Sequence, residues 1–539
     1  MKISGMLVDV HERMVYPARI HFTNGAIEAI EKIKNDQEYF ILPGLIDSHI
    51  HVESSMVTPG AFAQAVVKHG TTGVVSDPHE IANVLGLDGV DFMINDAKKV
   101  PVKFWFGASS CVPATVFESN GATINSTEIE KLLSRVEIKY LSEMMNFPGV
   151  INGNKEVWKK ISIAKKYLKP IDGHSPGLTG EMLEKYISAG ISTDHECSTL
   201  AEAVEKISLG MKILIREGSA ARNLNALKEL IRIKPDMVML CSDDMHPEML
   251  ISRHINKLVA KLISEGFDLF DVIRSCTVNP VMHYGLDAGL LKPGCSADFI
   301  LVDDYRKMNV LETWIKGIKV YDRGDILFSY NKGDMINKFN CSEIESGNIE
   351  VQRDGEKMRV IEAFDGELLT KQIITKTGTK KFMETDTNAD ILKIVVKDRY
   401  NDAPPAVGFI KGFGLRQGAF AGSVAHDSHN IVCVGTNNED IILAVNEIIR
   451  LKGGLSVSSG RKVSSLKLSI AGIMSDSSCQ DIADGYKALT EKVRSMGSHL
   501  RAPFMTLSFM ALLVIPELKI SDRGLFDVNK FNLVPLFVE

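Results

Sequence analysis

Two histidines, His49 and His51, are the residues of this chain best placed to do chemistry. They follow an apolar stretch, residues 39–42, that is typical of a buried strand. Side chains two residues apart on a strand point to the same side, so the imidazoles lie next to each other, with Asp47 below them. Two neutral imidazoles at the end of a buried strand form half of a metal site. The alternative is a pair of solvated loop histidines, and the downstream sequence decides between the two.

The elements that position these histidines alternate between strands and helices from residue 40 to residue 286. Eight apolar segments are followed by amphipathic stretches, and the predicted strands are residues 40–45, 73–76, 103–107, 137–141, 170–172, 191–193, 212–215 and 237–241. Eight strands that alternate with helices predict an α/β fold, a (β/α)8 TIM-type barrel. An open doubly wound sheet is the alternative, but it usually has fewer strands, and no G-x-G-x-x-G turn follows the first strand here.

Polar side chains follow each predicted strand at its carboxyl end. In strand order they are His49 and His51; Asp77, His79 and Glu80; Ser109; Glu143; His174; His195 and Glu196; Arg216 and Ser219; and Asp243 and Asp244. The carboxyl ends of barrel strands converge on one pocket, so we expect these groups to meet. Four histidines and two carboxylates suit a pair of divalent ions. A ligand set of nitrogen and oxygen atoms without cysteine suits manganese, iron or zinc equally well.

Such a site predicts hydrolytic chemistry. A divalent ion lowers the pKa of bound water by many units, and two ions that share the water also polarise the electrophile. A carboxylate beside the activated water then takes its proton and passes it to the leaving group. Asp243, after the eighth strand, is placed for this transfer, whereas Asp244 alternates to the other face.

The barrel is expected to have a domain on each side of it in the sequence. Residues 1–39 and 287–330 are read as short strands with turns, and neither segment is long enough to bury a core alone. We therefore expect them to pair into one small β-sandwich domain beside the barrel of residues 40–286. Residues 330–350 are polar and turn-rich, as in a linker. Residues 345–539 are predicted to form a C-terminal α+β domain, with strands at 421–424 and 431–435, a helix at 439–451 and a hairpin at 455–468.

Composition limits the class of protein. The chain has 539 residues and a formal net charge of −6, without a long basic run, which argues against binding to nucleic acid or to an anionic membrane. Its eight cysteines are scattered and form no C-x-x-C, as expected for a protein of the reducing cytoplasm. The longest apolar run, residues 504–515, is short for a membrane span. A large cytoplasmic enzyme of this kind is expected to be a homo-oligomer.

Several motifs resemble a known family. The stretch P-G-L-I-D-S-H-I-H at residues 43–51 resembles the first-strand signature of the amidohydrolase superfamily. S-D-P-H-E-I-A-N at 76–83 and E-M-M-N-F-P-G-V at 143–150 are more specifically similar to the bacterial adenine deaminase family. The same holds for A-H-D-S-H-N at 425–430 and P-F-M-T-L-S-F at 503–509. The resemblance therefore covers nearly the whole chain.

The resemblance implies a binuclear centre and an activity. One metal is held by His49, His51 and Asp243, the other by His174 and His195, and Glu143 bridges them. Many relatives bridge with a carbamylated lysine instead, and Lys139 on the same strand is the minor candidate, four residues before Glu143 and too deep in the barrel. The implied reaction is hydrolysis of adenine to hypoxanthine and ammonia in purine salvage. The two divalent ions are commonly Mn2+, with Fe2+ or Zn2+ as alternatives.

Adenine chemistry requires two proton transfers. Asp243 is expected to carry the proton of the attacking water to the exocyclic nitrogen, and a second acid must protonate ring N1. Glu80 is our hypothesis for that acid; the alternative is that Glu80 only caps the helix that follows.

The candidates for contact with the purine are Ser109, Arg216, Ser219, His426 and His429. For Arg216, pairing with a neighbouring carboxylate is the favoured alternative. The two histidines either belong to a loop that closes the pocket or lie satisfied inside a domain interface.

Three other functions can be compared with the motifs of this chain. His51-Val52-Glu53 matches the H-x-E of the base-flipping zinc deaminases, but those need a P-C-x-x-C that this chain lacks. A cyclic amidase or an N-acetyl-sugar deacetylase of the same superfamily is the runner-up, because either would keep the metal site and change the pocket. An inactive assembly scaffold would have lost metal ligands, and none is missing here.

Overall fold

The contacts within the chain divide it into two units. The structure is a computed structural model that describes residues 1–34, 37–219 and 222–538. The barrel unit consists of residues 1–78, 91–111 and 124–333, and the C-terminal unit of residues 79–90, 112–123 and those from 334 onward. The sequence did not predict that residues 79–90 and 112–123, which follow the second and third barrel strands, group with the C-terminal residues.

Eight parallel strands form the centre of the barrel unit. They are Leu45–Ile50, Thr71–Ser76, Lys103–Ala108, Ile138–Met144, Ile171–Gly173, Thr193–Asp194, Lys212–Arg216 and Val238–Cys241. The first five and the last three are hydrogen-bonded into two sheets. The eighth strand reaches the first through a parallel bridge between Ile50 and Asp243, which closes the cylinder. The predicted TIM-type barrel is confirmed.

Side chains alternate across the barrel wall, as strand geometry requires. On the eighth strand Met239 and Cys241 pack with Leu214 in one buried cluster. Val238 and Leu240 belong instead to a second cluster that includes residues of the surrounding helices. This alternation fixes which residues at each strand end face the interior.

The first predicted strand, residues 40–45, is in fact two strands. Phe40–Pro43 joins the flanking sheet, and the barrel strand is Leu45–Ile50. Gly44 separates them, and a Cβ there would come within 2.2 Å of Thr72 Oγ1, so only glycine lets the chain pass this close. An apolar run does not reveal this break. His49 therefore lies inside the barrel strand and His51 directly after it, with their two-residue spacing preserved.

Helices follow the barrel strands, as the amphipathic stretches between the predicted strands indicate. In chain order the helices of the first 333 residues are Pro59–Val66, His79–Leu85, Leu87–Ala97, Ser126–Leu133, Phe147–Ile151, Lys155–Lys166, Gly180–Ser188, Leu200–Ser208, Leu224–Leu227, Leu230–Ile233, Pro247–Leu250, Ile255–Ser264, Leu269–Ser275 and Val278–Tyr284. The stretch after the second strand forms two helices, which are divided at Gly86, whose φ of 62° is left-handed and ends the first helix.

Both flanks of the barrel pair into one sheet of eight strands. Across the sheet the strands are Asp325–Ile326, Ile318–Asp322, Val310–Ile315, Phe299–Val302, Phe40–Pro43, Lys2–Asp9, Met14–Thr23 and Ala26–Lys32. Phe40–Pro43 joins the two halves, since it pairs parallel with Lys2–Asp9 and antiparallel with Phe299–Val302. The chain thus enters the barrel directly from the middle of this sheet.

The C-terminal unit is built on a nine-stranded sheet, so the predicted α+β class is confirmed. Its strands are Thr370–Lys376, Lys357–Ala363, Ala406–Lys411, Leu392–Lys397, Ile431–Gly435, Ala419–Gly422, Gly454–Ser459 and Lys462–Lys467, with Phe537–Val538 beside Lys357–Ala363. The helix Asn438–Leu451 packs on this sheet. The remaining elements are the helices Cys479–Ser495 and Pro503–Ser508 and a small sheet of Leu518–Ser521, Gly524–Asp527 and Asn532–Leu533. Among the described residues, no helix is both long and apolar enough to cross a membrane.

A buried lysine makes the stability of the C-terminal unit depend on pH. Lys519 is fully buried, and its Nζ donates to the backbone oxygens of Leu368 at 2.6 Å and Phe509 at 3.0 Å. Burial lowers the pKa of Lys519 from 10.5 to about 7. Between these values the unfolded chain binds more protons than the folded chain, so stability rises with pH across this range.

We expect the free energy of unfolding to rise from pH 7 to pH 10 by about 3–4 kcal/mol more in the parent protein than in Lys519→Met. Urea unfolding at both pH values measures this difference. Lys530→Met is the control, because that lysine is exposed. An equal pH dependence in the parent and Lys519→Met would contradict the assignment.

Candidate metal centre

Glu143 lies at the centre of the residues that the sequence selected as metal ligands. Its Oε1 is 3.3 Å from His51 Nε2, and its Oε2 is 2.8 Å from His174 Nδ1 and 3.2 Å from His195 Nε2. The two oxygens of one carboxylate therefore face two different groups of imidazoles. This is the arrangement that a bridging carboxylate needs.

Asp243 completes the first of these groups. Its Oδ1 is 3.4 Å from His49 Nε2 and 3.3 Å from His51 Nε2. The ring of His49 stacks on that of His195, with their centroids 4.3 Å apart. The six side chains predicted as ligands thus form one continuous cluster in the barrel unit.

Unpaired buried nitrogens indicate that this cluster fits cations. His49 is 0% exposed, yet neither of its ring nitrogens has a hydrogen-bond partner, and His174 Nε2 has none either. Buried polar atoms without partners are costly and therefore uncommon. The donor atoms of His49, His195 and Asp243 lie within 4.8 Å of one another, as do those of Glu143, His174 and His195. Both groups offer the nitrogen and oxygen ligands that suit divalent transition metals.

The electrostatics of the cluster keep its carboxylates ionised. Burial raises the pKa of Glu143, but hydrogen bonds from His174 and His195 outweigh burial and hold that pKa well below its usual value. Burial likewise raises the pKa of Asp243, but the charge of Arg216 and the neighbouring imidazoles of His49 and His51 bring it well below the usual range. Ionised carboxylates are the form that binds a cation.

The backbone at Asp243 adopts an unusual conformation. Its φ is 59°, in the left-handed region that residues other than glycine, asparagine and aspartate rarely occupy. Its N–H donates to His49 O at 3.0 Å, and its carbonyl accepts from His51 N at 3.3 Å. These bonds across the closing seam hold the turn, so Asp243 reaches the interior although it lies beyond the end of its strand.

Lys139, the minor candidate for the bridge, is not part of the cluster. It lies on the same strand as Glu143 but lines a surface cavity together with Glu137 and Asp287. Four residues along a strand correspond to roughly 13 Å, which separates the two side chains along the barrel wall.

Glu196 belongs to the site, although the sequence assigned it no role. Its Oε1 is 3.3 Å from His195 Nε2 and 3.6 Å from His174 Nδ1. Arg216 binds both oxygens of Glu196 and also donates to Asp243 Oδ2 at 2.7 Å. The guanidinium therefore connects Asp243, in the first group of candidate ligands, with Glu196, which lies beside His174 and His195 of the second group. Its position agrees with the alternative in which Arg216 pairs with a carboxylate. The only signal for Glu196 was its place directly after His195.

The two candidate serines contact protein groups. Ser109 Oγ donates to Asp77 Oδ1 at 3.3 Å, and the backbone oxygen of Asp77 is 3.1 Å from His51 Nδ1. Ser219 Oγ donates to Met249 Sδ at 3.1 Å and accepts from a backbone N–H. Ser109 thus acts on the residue that orients His51, and the contact of either serine with a purine stays a prediction.

A second cluster lies within the C-terminal unit, around Glu80. One oxygen of Glu80 contacts His426 Nδ1 and the other contacts His429 Nε2. His429 Nδ1 accepts a hydrogen bond from Ala425 N at 3.3 Å, so His429 is a neutral imidazole whose Nε2 carries the proton. Burial raises the pKa of Glu80, but the charge of His426 and its hydrogen bond to the carboxylate outweigh burial and hold the pKa well below normal.

The sequence left two questions open: whether Glu80 only caps the helix that follows it, and whether His426 and His429 are satisfied by contacts within the protein. The contacts of this cluster concern both. Glu80 does lie in the first turn of the helix His79–Leu85, where an acid is favoured, but its carboxylate contacts imidazoles. His426 and His429 are both buried and both bind the same carboxylate. Glu80, His426 and His429 therefore form one buried contact cluster.

Gly218, which follows the seventh strand, is expected to be intolerant of any side chain. A Cβ there would lie 2.4 Å from the backbone oxygens of both Ser242 and Asp244, on either side of Asp243. We expect Gly218→Ala to destabilise the protein by about 1–3 kcal/mol and to weaken metal binding, because the turn at Asp243 must shift. Thermal unfolding with and without metal measures both effects. The control is Gly347→Ala, where a Cβ meets nothing within 4 Å, and an equal effect in both variants would contradict this account.

The chain was compared with known proteins. The model of the Amidohydrolase family matches residues 40–320, and that of the Adenine deaminase C-terminal domain matches residues 367–532. An adenine deaminase from Methanosarcina mazei is 49% identical over 100% of this chain and 100% of its own length. Adenine deaminases from Salinibacter ruber and Borreliella burgdorferi are 48% and 44% identical, over 100% and 99% of this chain and 99% of each relative.

These similarities extend over both units and include every residue of the metal centre within the matched ranges. Identity of this degree over full length establishes the family as well as the fold. The chain belongs to the adenine deaminase family of the amidohydrolases.

Proposed function

We propose that this protein hydrolyses adenine to hypoxanthine and ammonia. The observation that supports it most is the carboxylate of Glu143, whose two oxygens face His51 on one side and His174 with His195 on the other. That arrangement suits two cations that share one ligand. The full-length relatives named adenine deaminase support adenine as the substrate.

The bound cations would be held by His49, His51 and Asp243 and by His174 and His195, with Glu143 shared between them. When bound, two such ions supply an activated water and polarise the ring carbon that it attacks. Asp243 takes one proton from the water and gives it to the exocyclic nitrogen, which leaves C6 as ammonia while the oxygen stays on the ring. The second proton of the water is released as the C6 carbonyl forms and replaces, through solvent, the proton that was given to N1. Arg216 donates to Asp243 Oδ2 and so holds the carboxylate in the orientation that this transfer needs.

Ring N1 needs a proton during the attack, and we propose that Glu80 supplies it together with the imidazoles that bind it. Because Glu80 is held ionised, the proton for N1 is carried by the imidazole of His426, which the Glu80 carboxylate keeps protonated, while His429 fixes the other oxygen. Contact of His426 and His429 with the purine belongs to the same proposal.

Replacing Glu80 with glutamine is expected to lower kcat by about 10²-fold, because the amide cannot accept from both imidazoles. Steady-state kinetics with adenine measure the loss. Glu118→Gln is the matched control: it is the same substitution at another buried acid of the C-terminal unit, whose pKa burial raises well above normal and which has no part in the proposed proton transfer. Unchanged turnover in Glu80→Gln would remove Glu80 from the mechanism.

The identity of the metal and the setting of the enzyme also remain proposals. Manganese is our choice, with iron or zinc as alternatives, since the ligand types suit all three. We also propose a role in purine salvage, a cytoplasmic location and a homo-oligomeric state. The proposed reaction supports the first, and the sequence supports the other two.

The test is ammonia release from adenine by protein loaded with Mn2+. We expect turnover with adenine, loss of turnover after chelation and recovery with two equivalents of Mn2+. Ring opening of a dihydropyrimidine and deacetylation of an N-acetyl sugar are assayed beside it, because those are the runner-up activities. Turnover of either of these without release of ammonia from adenine would overturn the proposal.

A further inference from the structure

A buried group of polar side chains lies beneath the metal centre and plays no part in the proposed chemistry. Asp47, Thr71, Ser242 and His254 are each at most 1% exposed. The backbone N–H of Ser242 donates to Asp47 Oδ1 at 3.0 Å, and its hydroxyl donates to Asp47 Oδ2 at 2.5 Å. On its own strand Asp47 also accepts from His49 N at 3.3 Å. One carboxylate thus joins the first strand to the chain that leaves the eighth.

His254 holds this carboxylate from the other side. Its Nε2 is 2.9 Å from Asp47 Oδ2, and its Nδ1 is 2.7 Å from Thr71 Oγ1 on the second strand. Phe62 packs edge-on against the imidazole, with ring centroids 6.0 Å apart. Of the contacts that the structure describes for Asp47, only this one is with a side chain able to carry positive charge, and a buried carboxylate needs such a partner.

The position of this group gives it a function. The first and eighth strands meet at the bridge between Ile50 and Asp243, where the barrel closes. His49 and His51 lie on one side of this seam and Asp243 on the other. Asp47 is two residues before His49, and Ser242 directly precedes Asp243. Any change in the Asp47–Ser242 contact therefore moves ligands of one cation relative to each other.

We propose that His254 is a positioning residue for the metal centre, which acts through Asp47 to hold His49 and Asp243 at the distance that a shared cation requires. Thr71 orients the imidazole from the opposite nitrogen. This inference rests on the metal pair of the proposed function. It assigns that pair a supporting layer, and supporting residues of this kind typically change metal affinity by 10–100-fold.

The test measures metal binding without substrate, by competition with a chelator of known affinity. We expect His254→Leu, which loses both polar contacts, to weaken binding of one of the two ions by about 100-fold, and Thr71→Val by about tenfold. Valine has the shape of threonine, so the second variant keeps the test decisive if the first does not fold. Thr71→Ser, which restores the hydroxyl, should return the affinity to that of the parent protein.

His69 supplies the matched control. It is also buried, and its Nε2 is 2.8 Å from the backbone oxygen of Leu250, but it does not contact Asp47 in the described structure. We expect His69→Leu to lower the thermal midpoint and leave metal affinity unchanged.

Parent-like affinity in both His254→Leu and Thr71→Val would overturn the inference, and so would equal weakening in His69→Leu. A parent protein that bound no metal would instead overturn the proposed function, so the two failures are distinguishable.

Discussion

Replacing Glu143 with glutamine is expected to abolish the paired metal site and to lower kcat/KM for adenine by at least about 10³-fold. Both carboxylate oxygens are in use, one toward His51 and one toward His174 and His195. Glutamine replaces one oxygen with an NH2 group, which cannot bind a cation. Metal analysis of the purified variant should find fewer than two equivalents, and kinetics at saturating Mn2+ measure the lost activity.

Lys139→Gln is the control for this prediction, because Lys139 lies on the same strand and was the other candidate for the bridge. It should retain both metal equivalents and the parent turnover. If Lys139→Gln lost metal and Glu143→Gln did not, a modified lysine would be the bridge and the assignment of Glu143 would be wrong.

Replacing Asp243 with asparagine is expected to lower kcat by about 10²–10⁴-fold, the range for loss of a proton-transferring side chain. Asparagine retains an oxygen toward His49 and His51, and it tolerates the left-handed backbone at this position. The fold and part of the metal affinity should therefore survive, whereas the amide cannot carry the proton. Pre-steady-state kinetics with adenine at full metal occupancy separate this loss from loss of metal.

The neighbouring Asp244 gives a control one residue away. Its Oδ1 accepts from Ser54 Oγ at 2.5 Å. We expect Asp244→Asn to retain turnover within about threefold, since no proton transfer depends on it. Equal losses in the two variants would show that the effect comes from the turn and not from the carboxylate of Asp243.

The features that simple periodic rules describe, the barrel strands and their order, could be predicted from the sequence. All eight predicted barrel strands overlap the observed strands, the first and the sixth by one residue each, because an apolar run between two turns has few other conformations in an α/β chain. The candidate ligands could be predicted from the sequence for a related reason. Once eight parallel strands close into a barrel, the residues after each strand face one pocket whatever their separation along the chain.

The same rules failed where a contact depends on a distant partner. Gly44 divides the first apolar run because Thr72 approaches it, and nothing in residues 40–45 indicates this. The sequence placed Glu196 among the groups expected to meet and favoured a carboxylate partner for Arg216, but only the structure shows that Arg216 binds both Glu196 and Asp243. A long side chain has many rotamers, and its partner is chosen by what the folded chain places within its reach.

The amino-acid sequence alone determined the barrel and the family and predicted the six candidate ligands and their hydrolytic chemistry, because these follow from strand periodicity, ligand types and contiguous motifs. Only the tertiary structure decided which partners the buried charged groups have. Asp47 pairs with His254, Arg216 binds Asp243, and Glu80 contacts His426. The physical reason is that a buried charge takes the partner that packing brings to it, and packing joins residues up to hundreds of positions apart.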